Sequence, residues 1–194
     1  MTELLIAKTL PRVGPMPCWR ARIATAAITA TLCAAFAFRF GVDPELPAFL
    51  LLAVLGVELA RIDVSLHLLP NPLVIALLAG GLLFLLGATF GGEQWSSLVR
   101  ALAGAAILFV IYLILALISP TGLGMGDVKL AAPVGLYLGY LGWNQLLYGG
   151  LLGFIVGGIA SALTLRWHRK EKPAEVAYGP SMLTAAVAVS LAWG

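Results

Sequence analysis

Leu98–Tyr140 reads LVRALAGAAILFVIYLILALISPTGLGMGDVKLAAPVGLYLGY. Two apolar runs flank Ser119-Pro120-Thr121-Gly122-Leu123-Gly124-Met125-Gly126, which is too rich in glycine and proline to remain helical. An aspartate, Asp127, opens the second run. The first run, 98–118, has the length of about 20 residues that a straight membrane helix needs. In hydrocarbon every backbone group must be paired within its own segment unless a barrel closes, and the strict apolar/polar alternation of a barrel strand is absent. The unit is therefore helix, tight break, helix. Repeated along the chain, it predicts an all-α, polytopic transmembrane bundle.

Working outward, the same pattern gives about six to seven spans. A first runs over 22–40, and the connector Gly41-Val42-Asp43-Pro44-Glu45 follows it. A second covers roughly 46–62 and ends in Arg61 and Asp63. Pro70-Asn71-Pro72 breaks the chain before a third span that reaches about Phe90. The polar loop Gly91–Ser97 leads to the fourth span, Asp127 to about Tyr140 forms the fifth, and Gly142-Trp143-Asn144 turns into a sixth over about 146–165. A basic exit, Arg166–Lys172, and Tyr178-Gly179-Pro180 precede a last apolar stretch of about 15 residues, short for a straight span and expected to be partial or tilted. Residues 1–20, punctuated by Pro11, Pro15 and Pro17, read as a cytoplasmic lead-in, and 21–194 as one membrane domain with its two-motif core at about 50–145. Ala35-Phe36-Ala37 fits a small-x-small cleavage pattern, but the apolar stretch Ile23–Phe38 exceeds the usual core of about 7–15 residues, so a retained span is favoured.

Composition agrees. Of 194 residues, 61% are hydrophobic and 11% charged, against about 25% charged in soluble domains. Lys+Arg 12 against Asp+Glu 9 is too small an excess to indicate nucleic-acid binding, but its distribution sets topology. With the N-terminus inside, Lys8, Arg12, Arg20, Arg22, Arg61, Lys129, Arg166, Arg169, Lys170 and Lys172 fall on the cytoplasmic side and only Arg39 and Arg100 outside. That orientation puts Asp63 and Asp127 on one side. Cys18 and Cys33 form no CxxC pair and offer no metal framework; they read as unpaired structural thiols. No metal or cofactor is expected.

Ionisable residues at membrane depth default to functional hypotheses, and the candidates are Glu58, Asp63 and Asp127. Glu58 reads as packed or paired within the bundle in preference to a substrate contact. His67 follows Asp63 by four residues and faces it only if the helix continues that far; an interfacial loop position is the simpler reading. Gly135 and Gly139 in span five, and Gly149, Gly153 and Gly157 in span six, recur at helical spacing and indicate close helix packing, with a substrate-facing groove as the alternative. The basic run reads as a topology anchor.

Gly124-Met125-Gly126-Asp127-Val128-Lys129-Leu130 resembles the GxGD motif of prepilin peptidases, also called type IV leader peptidases. Ile62-Asp63, followed by Leu69-Pro70-Asn71 and Leu73, looks like the other aspartate motif of that family, and Tyr178-Gly179-Pro180 is similar to a Phe-Gly-Pro segment before its last helix. The resemblance covers about residues 50–194 and implies an aspartic endopeptidase of the bacterial inner membrane, with Asp63 and Asp127 as its catalytic pair. Its substrates would be prepilins or pseudopilins carrying a basic leader, a glycine before the cut and an apolar helix; membrane lipid is the other partner. Larger members carry a cytosolic segment with two CxxC pairs and methylate the new N-terminus. Nothing here matches that segment, so a short, peptidase-only form is expected.

Two carboxylates within about 3 Å share a proton. One activates water and the other hydrogen-bonds the scissile carbonyl. The macrodipole favours charge on Asp127, at a helix N-terminus, over Asp63, at a helix C-terminus, so Asp127 is the expected base and Asp63 the acid. Gly122, Gly124 and Gly126 permit a tight turn and a close substrate backbone, or serve a plain loop. Pro70 and Asn71 are expected to support the first motif's loop, and Lys129 to meet lipid headgroups or tune the pair. Rival readings are a preflagellin-type peptidase, a non-catalytic pilus or secretion assembly protein, and a transporter; the last is disfavoured because the aspartates lie at span ends, away from mid-membrane.

Overall fold

The computed structural model describes residues 19–66, 68–92, 95–118, 123–167 and 178–193. They form seven α-helices: α1 (Trp19–Phe40), α2 (Leu46–Leu66), α3 (Asn71–Gly92), α4 (Trp95–Ile118), α5 (Met125–Leu141), α6 (Trp143–Trp167) and α7 (Gly179–Trp193). Among the described residues there is no strand. Segments of α1, α3, α4 and α6 are long and apolar enough to cross a membrane. The chain is an all-α, multi-pass membrane bundle. The lead-in through residue 18 with Cys18, His67, Gly122, and Arg169, Lys170 and Lys172 of the basic run lie outside the described residues.

Three helix ends differ from the sequence reading in ways that matter. α2 continues to Leu66, about a turn beyond the expected end. Asp63 therefore lies in the final turn of the helix. α4 begins at Trp95, taking in residues that polarity assigned to the loop; the Trp95 ring packs edge-on against Phe90, with centroids 5.0 Å apart, and closes that corner. α5 begins at Met125, two residues before Asp127, because Gly124 already accepts the first helical bonds: its carbonyl takes the Asp127 N–H at 3.0 Å and the Val128 N–H at 3.4 Å.

α5 is the central helix. Its residues from Asp127 to Tyr140 are buried apart from Lys129 and the half-buried Ala132, and it packs against α3, α4, α6 and α7. Small residues make this possible. A Cβ at Gly104 would stand 2.6 Å from the Gly135 carbonyl oxygen, and one at Gly139 would stand 2.8 Å from that of Arg100, so the α4 and α5 backbones touch. With lipid as apolar as leucine, such contact supplies association through van der Waals packing. The glycines of α6 act likewise: Gly153 faces the backbone of Met182 on α7, and Gly157 faces Tyr178. Close packing is thus the role these glycines play. Pro133 lies inside α5, buried.

One end of the bundle is closed by aromatic side chains and caps. Phe40 stacks on Phe49 at 4.5 Å, and Phe49 meets Tyr137 edge-on at 5.7 Å, joining α1, α2 and α5. Tyr137 inserts beside Gly81 of α3, and its hydroxyl reaches the Leu77 carbonyl at 3.5 Å. Arg100 donates to the Gly139 carbonyl at 2.8 Å and the Tyr140 carbonyl at 2.7 Å, while the Gly142 N–H bonds Leu138 O at 3.1 Å. The last carbonyls of α5, which have no partner within the helix, are satisfied in this way. Asp63 and Asp127 lie at the other end.

Candidate functional site

Asp63 is in register with the core. The buried stripe of α2 runs Phe49, Leu52, Gly56, Leu59, Asp63, with steps of three and four that keep one face of a helix inward. Asp63 occupies the place where the next apolar residue would fall, and it is 4% exposed. Two residues of the same helix are handled differently: Glu58 pairs with Arg61 at 2.7 Å, which is the paired role expected of it.

Asp127 is the third residue of α5 and 5% exposed. Its carboxylate accepts hydrogen bonds from the backbone N–H of Gly124 and of Gly179, and it lies within electrostatic reach of Asp63. The Gly124 bond is the acidic half of a capping box, in which the residue at the third helical position reaches back to the N-cap amide. The structure therefore brings Asp63 and Asp127 together at one end of the bundle, from helices that enter it in opposite senses.

A third element completes the site. Gly179, the first residue of α7, donates its N–H to Asp127 and also abuts Asp63: a Cβ there would lie 2.5 Å from Oδ2 and 3.2 Å from Cγ of that carboxylate. The Tyr112 hydroxyl of α4 lies within electrostatic reach of both Asp127 and Tyr178. Tyr112, Tyr178 and Gly179 are not among the residues the sequence nominates for the site. Tyr178 and Gly179 carry a signal, the short motif before the last helix. Tyr112 carries none, because an isolated tyrosine in an apolar run looks like any lipid-facing residue.

The supporting residues settle into roles of their own. A Cβ on Gly126 would stand 3.0 Å from Cβ of Leu69, so this glycine admits the α2–α3 connector instead of an open approach for substrate. Lys129, exposed, donates from Nζ to Asn71 Oδ1 at 3.0 Å, tying the first turn of α5 to the first residue of α3. Headgroup contact or tuning of the acidic pair is the sequence expectation for Lys129, and its partner is the residue that opens α3. The Pro70 carbonyl accepts the N–H of Leu73 at 3.1 Å and of Val74 at 3.2 Å, starting α3. Asn71, Gly126 and Lys129 thus join the two aspartate segments, while Pro70 acts locally at the start of α3. Among the described residues, no group of three or more His, Cys, Asp or Glu side chains is arranged to hold a metal ion. A groove of about 640 Å³ between α1, α2 and α7 includes Arg61, Val64 and Ser65, next to Asp63 in sequence, in its lining.

Comparison with known proteins gives the family. Residues 48–162, more than half of the chain, match the type IV leader peptidase family. Similar curated proteins include the prepilin leader peptidase/N-methyltransferase of Aeromonas salmonicida, 38% identical over 76% of this chain and 49% of its own length. That of Aeromonas hydrophila is 35% identical over 86% of the chain and 56% of its own length. The Pseudomonas aeruginosa protein of the same name is 33% identical over 86% and 56%. The chain spans about half the length of the curated relatives it matches. No solved structure matches. On the strength of that family match, which takes in both aspartate segments, the chain belongs to the type IV leader peptidase family.

Proposed function

We propose that this protein is a membrane aspartic endopeptidase that removes the leader from prepilins or pseudopilins at the cytoplasmic face of the bacterial inner membrane, with its N-terminus on that side. The observation that carries the reading is the meeting of Asp63 and Asp127, two buried carboxylates brought to one end of an otherwise apolar bundle. Family membership supports the peptidase reaction, and the distribution of Lys and Arg supports the membrane side.

In this mechanism the pair holds one proton. Asp127, which accepts two backbone N–H bonds at a helix N-terminus, is the ionised partner and takes a proton from water. The water oxygen bonds to the scissile carbonyl carbon while Asp63, at a helix C-terminus, gives its proton to the carbonyl oxygen. The tetrahedral diol then collapses. Asp127 passes its proton to the departing amine nitrogen, the C–N bond breaks, and a diol hydroxyl returns a proton to Asp63. The protons balance and the pair is reset. Water and the two carboxylates are the only reactants besides the peptide.

Co-expression with a prepilin, comparing wild type with Asp63→Asn and Asp127→Asn, tests the assignment. Each variant is expected to reach the membrane in normal amount and to lose cleavage by at least about 10²–10⁴-fold, the contribution of a positioned acid or base. Persistent processing in either removes that residue from the chemistry.

A further inference from the structure

We propose that Gly179 is a positioning residue for the acidic pair: one residue of α7, lacking a side chain, sits against both carboxylates and sets the distance between them. The inference deepens the aspartic reading above and rests on it. Gly179 is the single described residue shown to touch both groups, Asp127 through its N–H and Asp63 by direct apposition. The apposition leaves no room for a methyl group. Real Cβ atoms do not approach within 3.0 Å of such a neighbour, and here the distance to Asp63 Oδ2 would be 2.5 Å. Leu130 Cδ2 would stand 3.5 Å from the same added carbon, in van der Waals contact with it. α7 is packed closely on α6, where Gly153 faces the Met182 backbone, and on α2 itself, where Gly56 faces Leu183. The clashing atom is the far end of a side chain, which shifts more readily than a backbone, so the group that yields is the Asp63 carboxylate. Displacement by a fraction of an ångström separates it from Asp127 and from the carbonyl it must protonate, and misplacement on the 1 Å scale costs about 10²-fold in rate.

Gly179 touches no substrate in this scheme, so its effect falls on turnover more than on binding. For Gly179→Ala, kcat on a synthetic peptide with a basic leader, a glycine at the cut and an apolar segment is expected to fall about 10²-fold with KM within a few-fold of wild type. Gly87→Ala, at a position with nothing within 4 Å of the added carbon, serves as the control and keeps wild-type rates. Wild-type kcat in Gly179→Ala, or a loss confined to KM, overturns the proposal. If Gly179→Ala fails to accumulate, adding Asp63→Ala is expected to restore accumulation, since the clash is with that carboxylate; failure to restore overturns it equally. Geometry is read independently of activity by the paired variant Asp63→Cys/Gly179→Cys, made with Cys18→Ser and Cys33→Ser. Asp63 Cγ lies 3.2 Å from the Cβ position at 179, close to the separation between one sulfur and the opposite Cβ in a disulfide. Rapid oxidative cross-linking is expected, and its absence places α7 elsewhere. Cross-linking in a protein whose Asp63→Asn form still cleaves leaves the α7 contact intact and refutes the aspartic reading alone.

Discussion

Glu45 and Asp63 are both carboxylates in an apolar chain, and their surroundings give them opposite tasks. Glu45 caps the start of α2, its carbonyl accepting the Ala48 N–H at 3.0 Å, while burial and the neighbouring Asp43 charge push its carboxyl pKa above the ordinary 4.5, opposed by a hydrogen bond from Tyr140. A raised folded-state pKa means the ionised form is disfavoured by folding. That penalty is absent below the unfolded value and fully present above the folded one. Glu45→Gln, which keeps an acceptor for Tyr140, is therefore expected to unfold at a higher temperature than wild type near neutral pH. The advantage should vanish as pH falls through about 4.5, as thermal scans across pH would show. At this scale much of the site is legible in sequence. The three- and four-residue steps from Phe49 to Asp63 continue a core stripe, and the glycines before Asp127 announce a break. The Lys129–Asn71 bond and the approach of Tyr112 are not legible, because they depend on which helices become neighbours.

Among the elements, α4 and α5 form the tightest pair, and its cause is the absence of side chains. Gly104, Gly135 and Gly139 bring one backbone onto the other, and Arg100 of α4 then reaches the terminal carbonyls of α5. Gly135→Val introduces a branched side chain against the Gly104 backbone, where no rotamer offers relief. Overpacking of this kind costs about 1–3 kcal/mol, so a lowered unfolding temperature in detergent is expected, with reduced cleavage because Asp127 rides on the same helix. Gly158→Val on the open side of α6 should leave both unchanged. The four-residue glycine spacing foretells close packing, but it does not reveal that α5 would be the buried helix, packed against α3, α4, α6 and α7. Every span in such a chain is apolar, so hydropathy does not distinguish a lipid-facing helix from a central one.

Across the whole molecule the connectors alternate between two faces, and charge assigns them. Val42, fully exposed in the α1–α2 connector, belongs to the face away from the aspartates, and Leu68, exposed in the α2–α3 connector, to the face beside them. In intact cells Val42→Cys is expected to react with an impermeant maleimide from outside and Leu68→Cys only after the inner membrane is opened; the reverse pattern would invert the topology. The central helix also spans this divide unevenly. Its far end is clamped by glycine contacts and by Arg100, whereas Pro133 brings no N–H to the carbonyl of Lys129, four residues earlier. One rung is thus missing from the ladder between the turn that bears Asp127 and the anchored remainder. Pro133→Ala supplies that rung, and the backbone amides of the first turn are expected to exchange with deuterated solvent more slowly. The turn of α5 that bears Asp127 is thus coupled to the anchored remainder by one backbone hydrogen bond fewer than an unbroken helix would supply, and its placement leans instead on the side-chain and loop contacts around it.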